Sequence, residues 1–196
     1  MQVRNRGTLG GSLAEADPSG DWGPVLLTLS TQVRAVGPQG ERTIQLSDFF
    51  VDAYTTSLGP GELVREVVVE IPPKNSGGAY LAFKRCAPVY ATASVAVQLT
   101  LGDKDICREA RMALGCVGLT AIRPGEAERA LRGQMINRAS IEAAAEAARA
   151  AADPQPDMRG SAELKRELVG VLLRRAIVIA VRRARGERVE GGHIYA

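Results

Sequence analysis

The sequence predicts an α+β protein, with its strands gathered in the middle of the chain and its helices at the end. Three observations carry this. Between residues 33 and 119, short runs of Val, Ile, Leu and Ala alternate with Gly-, Pro- and Asp-containing turns, the pattern of antiparallel strands. From residue 124 to 185 the spacing becomes helical, through an alanine-rich stretch and then a long aliphatic one. Of the 196 residues 45% are hydrophobic but only 4% aromatic, so the expected core is built from small and branched aliphatic side chains.

The elements follow in order. Thr8-Leu9-Gly10-Gly11-Ser12 reads as a glycine-rich bend, and Asp17-Pro18-Ser19-Gly20-Asp21 as a turn cluster. Residues 24–29 read as a short helix with Pro24 in its first turn. Val33, Ala35 and Val36 on one side of Gly37-Pro38-Gln39-Gly40, with Thr43, Ile44 and Leu46 on the other, form a β-hairpin. Ser47 caps one helical turn, and residues 64–71 are a β-branched strand closed by Pro72-Pro73. Lys74-Asn75-Ser76-Gly77-Gly78 has the composition of a linker, which divides the chain into residues 1–75, 76–186 and a tail, 187–196.

The second part opens with a strand at 79–85 and an irregular Cys86-Ala87-Pro88. Residues 91–101, 106–110 and 112–119 are expected as a three-stranded antiparallel meander. Helices follow at 124–131, with Gly133 placed as its C-cap, at 140–152, and from an N-cap at Ser161 to about Arg185. In the last helix Leu164, Leu168, Val171 and Leu172 make an apolar stripe, while residues 177–181 are apolar all round.

Composition excludes several functions. With Lys+Arg 25 against Asp+Glu 22, the formal charge is only +3. The Arg174, Arg175, Arg182, Arg183 and Arg185 group could be a nucleic-acid surface or a solvated helix end; no aromatic side chains interleave for base stacking, which favours the latter, and no nucleic-acid partner is expected. Cys86, Cys107 and Cys116 lack the spacing and number to ligate an iron–sulfur cluster and read as reduced, mostly buried residues of a cytoplasmic protein. His193 is the one histidine, so neither a catalytic triad nor a histidine metal site is expected, and no metal ligands are assigned. Met1 is followed by Gln-Val-Arg-Asn-Arg and not by an apolar run, so no signal peptide is expected, and the most apolar stretch is too short to span a bilayer, so no membrane insertion is expected.

The residues that carry chemistry are Thr8 to Ser12 with Asp21. Paired glycines let backbone amides approach a phosphate closely, Thr8 and Ser12 add hydroxyl donors, and Asp21 can accept from a ribose or a ring N–H. A Gly-Gly bend by itself is more often only a structural turn. The wider segment, Val3-Arg4-Asn5-Arg6-Gly7-Thr8-Leu9-Gly10-Gly11-Ser12-Leu13-Ala14 running into Asp17-Pro18-Ser19-Gly20-Asp21, resembles the second FAD-contacting segment of the xanthine dehydrogenase and carbon monoxide dehydrogenase flavoproteins. The resemblance continues through Glu62-Leu63-Val64 into Val69-Glu70-Ile71-Pro72, through Ala79-Tyr80 with Phe83-Lys84-Arg85, and through Met158-Arg159-Gly160-Ser161-Ala162-Glu163-Leu164-Lys165-Arg166 into Leu172-Leu173-Arg174-Arg175-Ala176.

This resemblance implies the fold more closely. It would be the second subdomain of a PCMH-type, vanillyl-alcohol-oxidase-like FAD-binding domain, followed by a C-terminal domain with a three-stranded antiparallel sheet and a helix bundle. It implies FAD as cofactor, with Thr8, Leu9, Gly10, Gly11 and Ser12 at the diphosphate, Asp21 on the cofactor, and Val64 packed on the adenine or flavin. The family's lysine two residues after the aromatic matched by Tyr80 is Ala82 here, and Lys84 is expected to replace it. No catalytic acid, base or nucleophile is implied. The family's first phosphate loop would precede residue 1, so half of the cofactor site is expected outside this chain. The implied role is the flavin-carrying electron-transfer subunit of a hetero-oligomeric molybdenum hydroxylase. A small subunit would bear 2Fe–2S clusters, a large subunit the molybdenum cofactor, and a separate N-terminal FAD-subdomain chain could be a further partner. The alternative is a flavin-free assembly or binding module of such a complex.

Overall fold

The computed structural model describes residues 5–85 and 89–190. Cys86, the irregular 86–88 stretch, His193 and most of the expected tail lie outside the described residues. The fold is α+β, as the strand and helix patterning requires.

The first part begins with two short helices, α1 (Leu9–Glu15) and α2 (Trp22–Leu27). The hairpin follows as β1 (Thr31–Gly37) and β2 (Gly40–Gln45), antiparallel, with Gly37 opposite Gly40 across the turn. Gly40 has φ +108, a conformation costly for any residue with a Cβ, which is why glycine closes this turn. A 3₁₀ turn at Leu46–Asp48, begun by Gln45 and not by Ser47, leads to a small ribbon of β3 (Phe50–Asp52) and β4 (Thr55–Thr56). Strand β5 (Leu63–Val69) pairs with β1, giving a sheet of order β2-β1-β5.

The second part is a sheet of β6 (Ser76–Phe83), β7 (Ala93–Leu101) and β8 (Cys107–Gly115), each antiparallel to its neighbour. Two expectations change here. Ser76, Gly77 and Gly78 are not linker but the first residues of β6. The segments at 106–110 and 112–119 are one strand, not two. Arg111 interrupts the apolar run but does not break the strand, because its guanidinium is satisfied by Glu109 and Ser30. The strand stops at Gly115 because Cys116 has φ +64, outside the extended region.

Three helices lie on one side of this sheet: α3 (Gly125–Leu131) and α5 (Ala162–Ala184) pack on the strands, and α4 (Arg138–Ala151) packs on both of those helices. Their caps explain their bounds. Asn137 and Ser140 form a reciprocal capping box at the start of α4, two residues earlier than its alanine run suggests. The Ser161 side chain accepts from the Leu164 amide at 3.1 Å to open α5, and Gly133 follows α3 with φ +78. Helix α5 buries Val169, Leu172, Leu173, Ala176, Ile177 and Ala180. The expected stripe is thus rotated: Leu164 and Val171 face outward, as does Val178 within the all-apolar stretch.

The opposite face of the sheet meets the first part. Ala96 and Ala113 belong to the same core as Leu13, Leu26, Leu27, Val33, Leu46 and Phe49. Residues 93–97 are therefore buried on both faces, which accounts for their small side chains, apolar except for Ser94. The C-terminal arginines largely serve the chain itself: Arg174 pairs with Glu142, Arg182 with Glu187 and Arg185 with Asp105, while Arg183 donates to the Gly78 carbonyl at 2.6 Å. No helix among the described residues is long and apolar enough to cross a membrane.

Candidate functional site

The glycine-rich segment is not a bend. Thr8 is the N-cap of α1, and Gly10 and Gly11 lie in its first turn, neither with positive φ. The Thr8 hydroxyl accepts from the Gly11 amide at 2.9 Å, and the Thr8 carbonyl accepts from Ser12 at 3.0 Å. The two glycines do different work. A Cβ on Gly10 would press on Val64 Cγ1 at 3.3 Å, so Gly10 lets α1 sit close against β5. A Cβ on Gly11 would meet only the Thr8 hydroxyl, at 3.0 Å, so on that side the backbone is bare. A bare helix start with no acidic residue in its first turn suits an anion, since its amide dipoles point outward. With the Gly11 and Ser12 amides held by Thr8, the Leu9 and Gly10 amides and the Ser12 hydroxyl are the donors this start could offer a diphosphate.

Asp21 anchors a second cluster, from residues far apart in sequence. The Tyr80 hydroxyl donates to Asp21 Oδ1 at 2.5 Å, and Lys84 Nζ donates to Oδ2 at 3.3 Å. Tyr80 and Ala82 share one face of β6 by its period of two, a face that looks toward the first part, and Lys84 follows one residue past the strand's end. Burial, and then the Asp21 charge, push the Tyr80 hydroxyl pKa upward, so it stays a donor. Asp21 remains 48% exposed and can still receive a ligand. The cluster is fixed from below: a Cβ on Gly115 would fall 2.4 Å from Ser94 Oγ and 2.6 Å from Pro24 Cγ, so the start of α2 packs directly on the ends of β7 and β8. The half-buried Cys116 thiol, its pKa raised to about 11 chiefly by desolvation, is not a reactive thiolate.

The loop between α1 and α2 is clasped on its other side. Asp17 Oδ1 accepts from the Ser19 amide at 2.8 Å, and the Asp17 charge raises the pKa of both Tyr54 and Tyr90. Arg159 donates to Ser19 Oγ at 3.0 Å while its guanidinium lies 5.5 Å from the Tyr90 ring centroid. The Cys116 amide donates to the Pro18 carbonyl at 3.2 Å. Thr8, Leu9, Gly10, Gly11, Ser12 and Val64 thus gather at the start of α1, and Asp21 and Lys84 gather with Tyr80. Sequence reasoning missed Tyr80 and Arg159 as site-forming residues; Tyr80 was findable from its period-two spacing to Lys84, whereas nothing local marks Arg159.

This architecture is that of a flavin-subunit fold of the molybdenum hydroxylases. Residues 1–73 match the FAD binding domain in molybdopterin dehydrogenase, and residues 78–180 match the CO dehydrogenase flavoprotein C-terminal domain. The chain belongs to the CO dehydrogenase flavoprotein family. It is 39% identical to the 6-hydroxypseudooxynicotine dehydrogenase complex subunit alpha of Paenarthrobacter nicotinovorans, over 98% of this chain and 65% of that one. It is 36% identical to the carbon monoxide dehydrogenase medium chain of Afipia carboxidovorans, over 94% and 64% of the two chains. Among solved structures, a carbon monoxide dehydrogenase from Hydrogenophaga pseudoflava superposes with a TM-score of 0.90 at 36% identity, covering 93% of this chain and 63% of that one. The chain therefore spans slightly under two thirds of the length of these relatives.

Proposed function

We propose that the chain is the flavin-carrying electron-transfer component of a molybdenum-dependent hydroxylase or dehydrogenase. The observation that carries this is the bare, Thr8-capped start of α1 seated on β5 in a chain of this family. Thr8, Leu9, Gly10, Gly11 and Ser12 would hold the FAD diphosphate through backbone amides and hydroxyls. Val64, beside Gly10, would offer the cofactor an apolar contact. Asp21 would accept from a cofactor N–H or O–H, its carboxylate held in place by Tyr80 and Lys84. FAD, when bound, accepts electrons and passes them on. The chain's own task is to orient the cofactor and set the charge around it, and no residue acts as nucleophile or general base.

In this reading residues 1–75 form the FAD-binding part and 76–186 the C-terminal part. Electrons arrive from 2Fe–2S clusters on a small subunit, after substrate oxidation at a molybdenum cofactor on a large one, and leave to an external acceptor. The test is to co-purify the chain with its partner subunits and measure FAD content and the visible spectrum. Stoichiometric flavin that bleaches when substrate is added supports the proposal. A colourless complex overturns it in favour of a flavin-free assembly module.

A further inference from the structure

Away from these clusters lies a cavity of ≈ 300 Å³ at the seam between the two parts of the chain. Ser30, Gln45 and Ser47 line it from the first part; Glu109, Arg111, Arg123 and Arg132 line it from the second. Arg111 lies on β8, and the other two arginines bracket α3, Arg123 just before it and Arg132 as its C-cap. Two of the guanidiniums are held rigidly. Arg111 donates to Glu109 at 2.8 Å and to Ser30 Oγ at 2.5 Å. Arg123 engages both carboxylate oxygens of Glu128, at 2.7 and 2.8 Å, and that nearly buried carboxylate also accepts the Met112 amide at 2.9 Å.

Arg132 is different. Among the described residues its side chain makes no ion pair or hydrogen bond. Two carboxylates answer three guanidiniums, so the cavity keeps one uncompensated positive charge. Arg132 still has its full set of donors, and Arg111 and Arg123 keep some of theirs. The cavity could accommodate a small ligand with its hydration: each water takes about 30 Å³ in the liquid. Guanidinium forks bind carboxylate and phosphate oxygens in pairs, and two forks already fixed lose little entropy on binding.

We propose that this cavity is a binding site for a small oxyanion, a phosphate or a compact carboxylate, with Arg132 as the principal contact. The Ser47 hydroxyl and Gln45 amide would complete the ligand shell from the opposite wall. The site is separate from the residues proposed to hold FAD and does not depend on that proposal.

Titrate the full chain with inorganic phosphate, and separately with succinate, by calorimetry at constant ionic strength. Follow the arginine Nε–H signals by NMR in parallel. Arg132→Gln removes the charge at an exposed position, and Arg175→Gln, on the outer face of α5, is the control. Saturable binding of either anion that shifts an Arg132 signal, and weakens at least tenfold in Arg132→Gln but not in Arg175→Gln, supports the site. Phosphate alone, or succinate alone, then names the class. Heats that do not saturate, equal weakening in both variants, or binding unaffected by Arg132→Gln would overturn it; the last result would place any phosphate elsewhere, as at the start of α1.

Discussion

Gly77→Ala should be among the most damaging single-methyl additions in this protein. Gly77 lies on β6 directly beneath α5, where strand backbone and helix backbone touch. A Cβ there would fall 2.1 Å from the Ala180 carbonyl oxygen and 2.4 Å from the Ala184 nitrogen. Neither atom can swing aside. To restore ordinary contact the helix must retreat by roughly 1 Å, and overpacking of this kind costs about 1–3 kcal/mol, occasionally more. The retreat also pulls on the bond from Arg183 to the Gly78 carbonyl, now 2.6 Å; hydrogen bonds to charged groups contribute about 1.5–3 kcal/mol. Together the loss should be about 3–5 kcal/mol. Gly78→Ala is the matched control. Its Cβ would meet Gln98 Oε1 at 2.4 Å, the far end of a flexible side chain that can rotate away, so the expected change is under about 1 kcal/mol. Urea denaturation, with the slope checked for constancy, gives both differences. In thermal unfolding Gly77→Ala should lower Tm by roughly 6–20 °C. Equal effects from the two variants, or a Gly77→Ala within 1 kcal/mol of the parent, would refute backbone contact as the reason for glycine at position 77.

Three further outcomes are expected. The Glu62 carboxyl, bonded by Arg42 and the Gly59 amide, has its pKa held at about 2 in the folded chain, so its stabilisation is present above its unfolded value near 4.5 and is lost as pH falls toward about 2; Glu62→Gln should flatten that limb of a stability–pH curve, and an unchanged limb would show the pair to be inert. Gly11→Val puts a branched side chain on the bare face of α1 and against the Thr8 cap, so flavin content of the assembled complex should fall at least tenfold while the far-UV signature of the C-terminal sheet persists; unchanged flavin content would return Gly11 to a purely structural role. Lys84→Met should lower the flavin midpoint potential by on the order of 30 mV, about 1.4 kcal/mol for a two-electron couple, while Arg85→Met, exposed and outside the Asp21 cluster, should leave it nearly unchanged; equal shifts would remove Lys84 from the site.

The hairpin, β5, α2 and the helices of the second part were legible because each is signalled locally. Turn glycines, β-branched runs and capping residues act over a few positions. What failed was every reading that needed to know a residue's neighbour. Gly77 and Gly78 look like linker because glycine and serine are abundant in linkers, but here one glycine admits a helix backbone. Arg111 looks like the end of a strand until Ser30, 81 positions earlier, is seen to receive it. Ala16 and Tyr54, with φ +52 and +55, give no sequence sign of left-handed backbone, yet the Tyr54 amide donates to the Ala16 carbonyl at 2.9 Å and fixes the loop that ends in Asp21.

The site divides in the same way. Thr8 to Ser12 is contiguous, so a local motif and a family resemblance sufficed to propose it as a site, while its conformation, a capped helix start, was misread as a bend. A glycine pair signals close approach, and both a bend and a helix start satisfy that demand; Thr8, a favoured N-cap residue just ahead of the pair, was the available clue. Asp21 and Lys84 were named separately, but their partnership through Tyr80 spans 59 and 63 positions and exists only because α2 lies across the ends of β7 and β8. That packing depends on Gly115 having no Cβ to meet Pro24, and on the small residues Ala96 and Ala113 beneath the first part. The small residues of the second sheet are therefore not a weak core. They let the first part settle close enough for one carboxylate to be held by Tyr80 on β6 and Lys84 just past it, which joins the FAD-binding and C-terminal parts of the chain in one polar cluster.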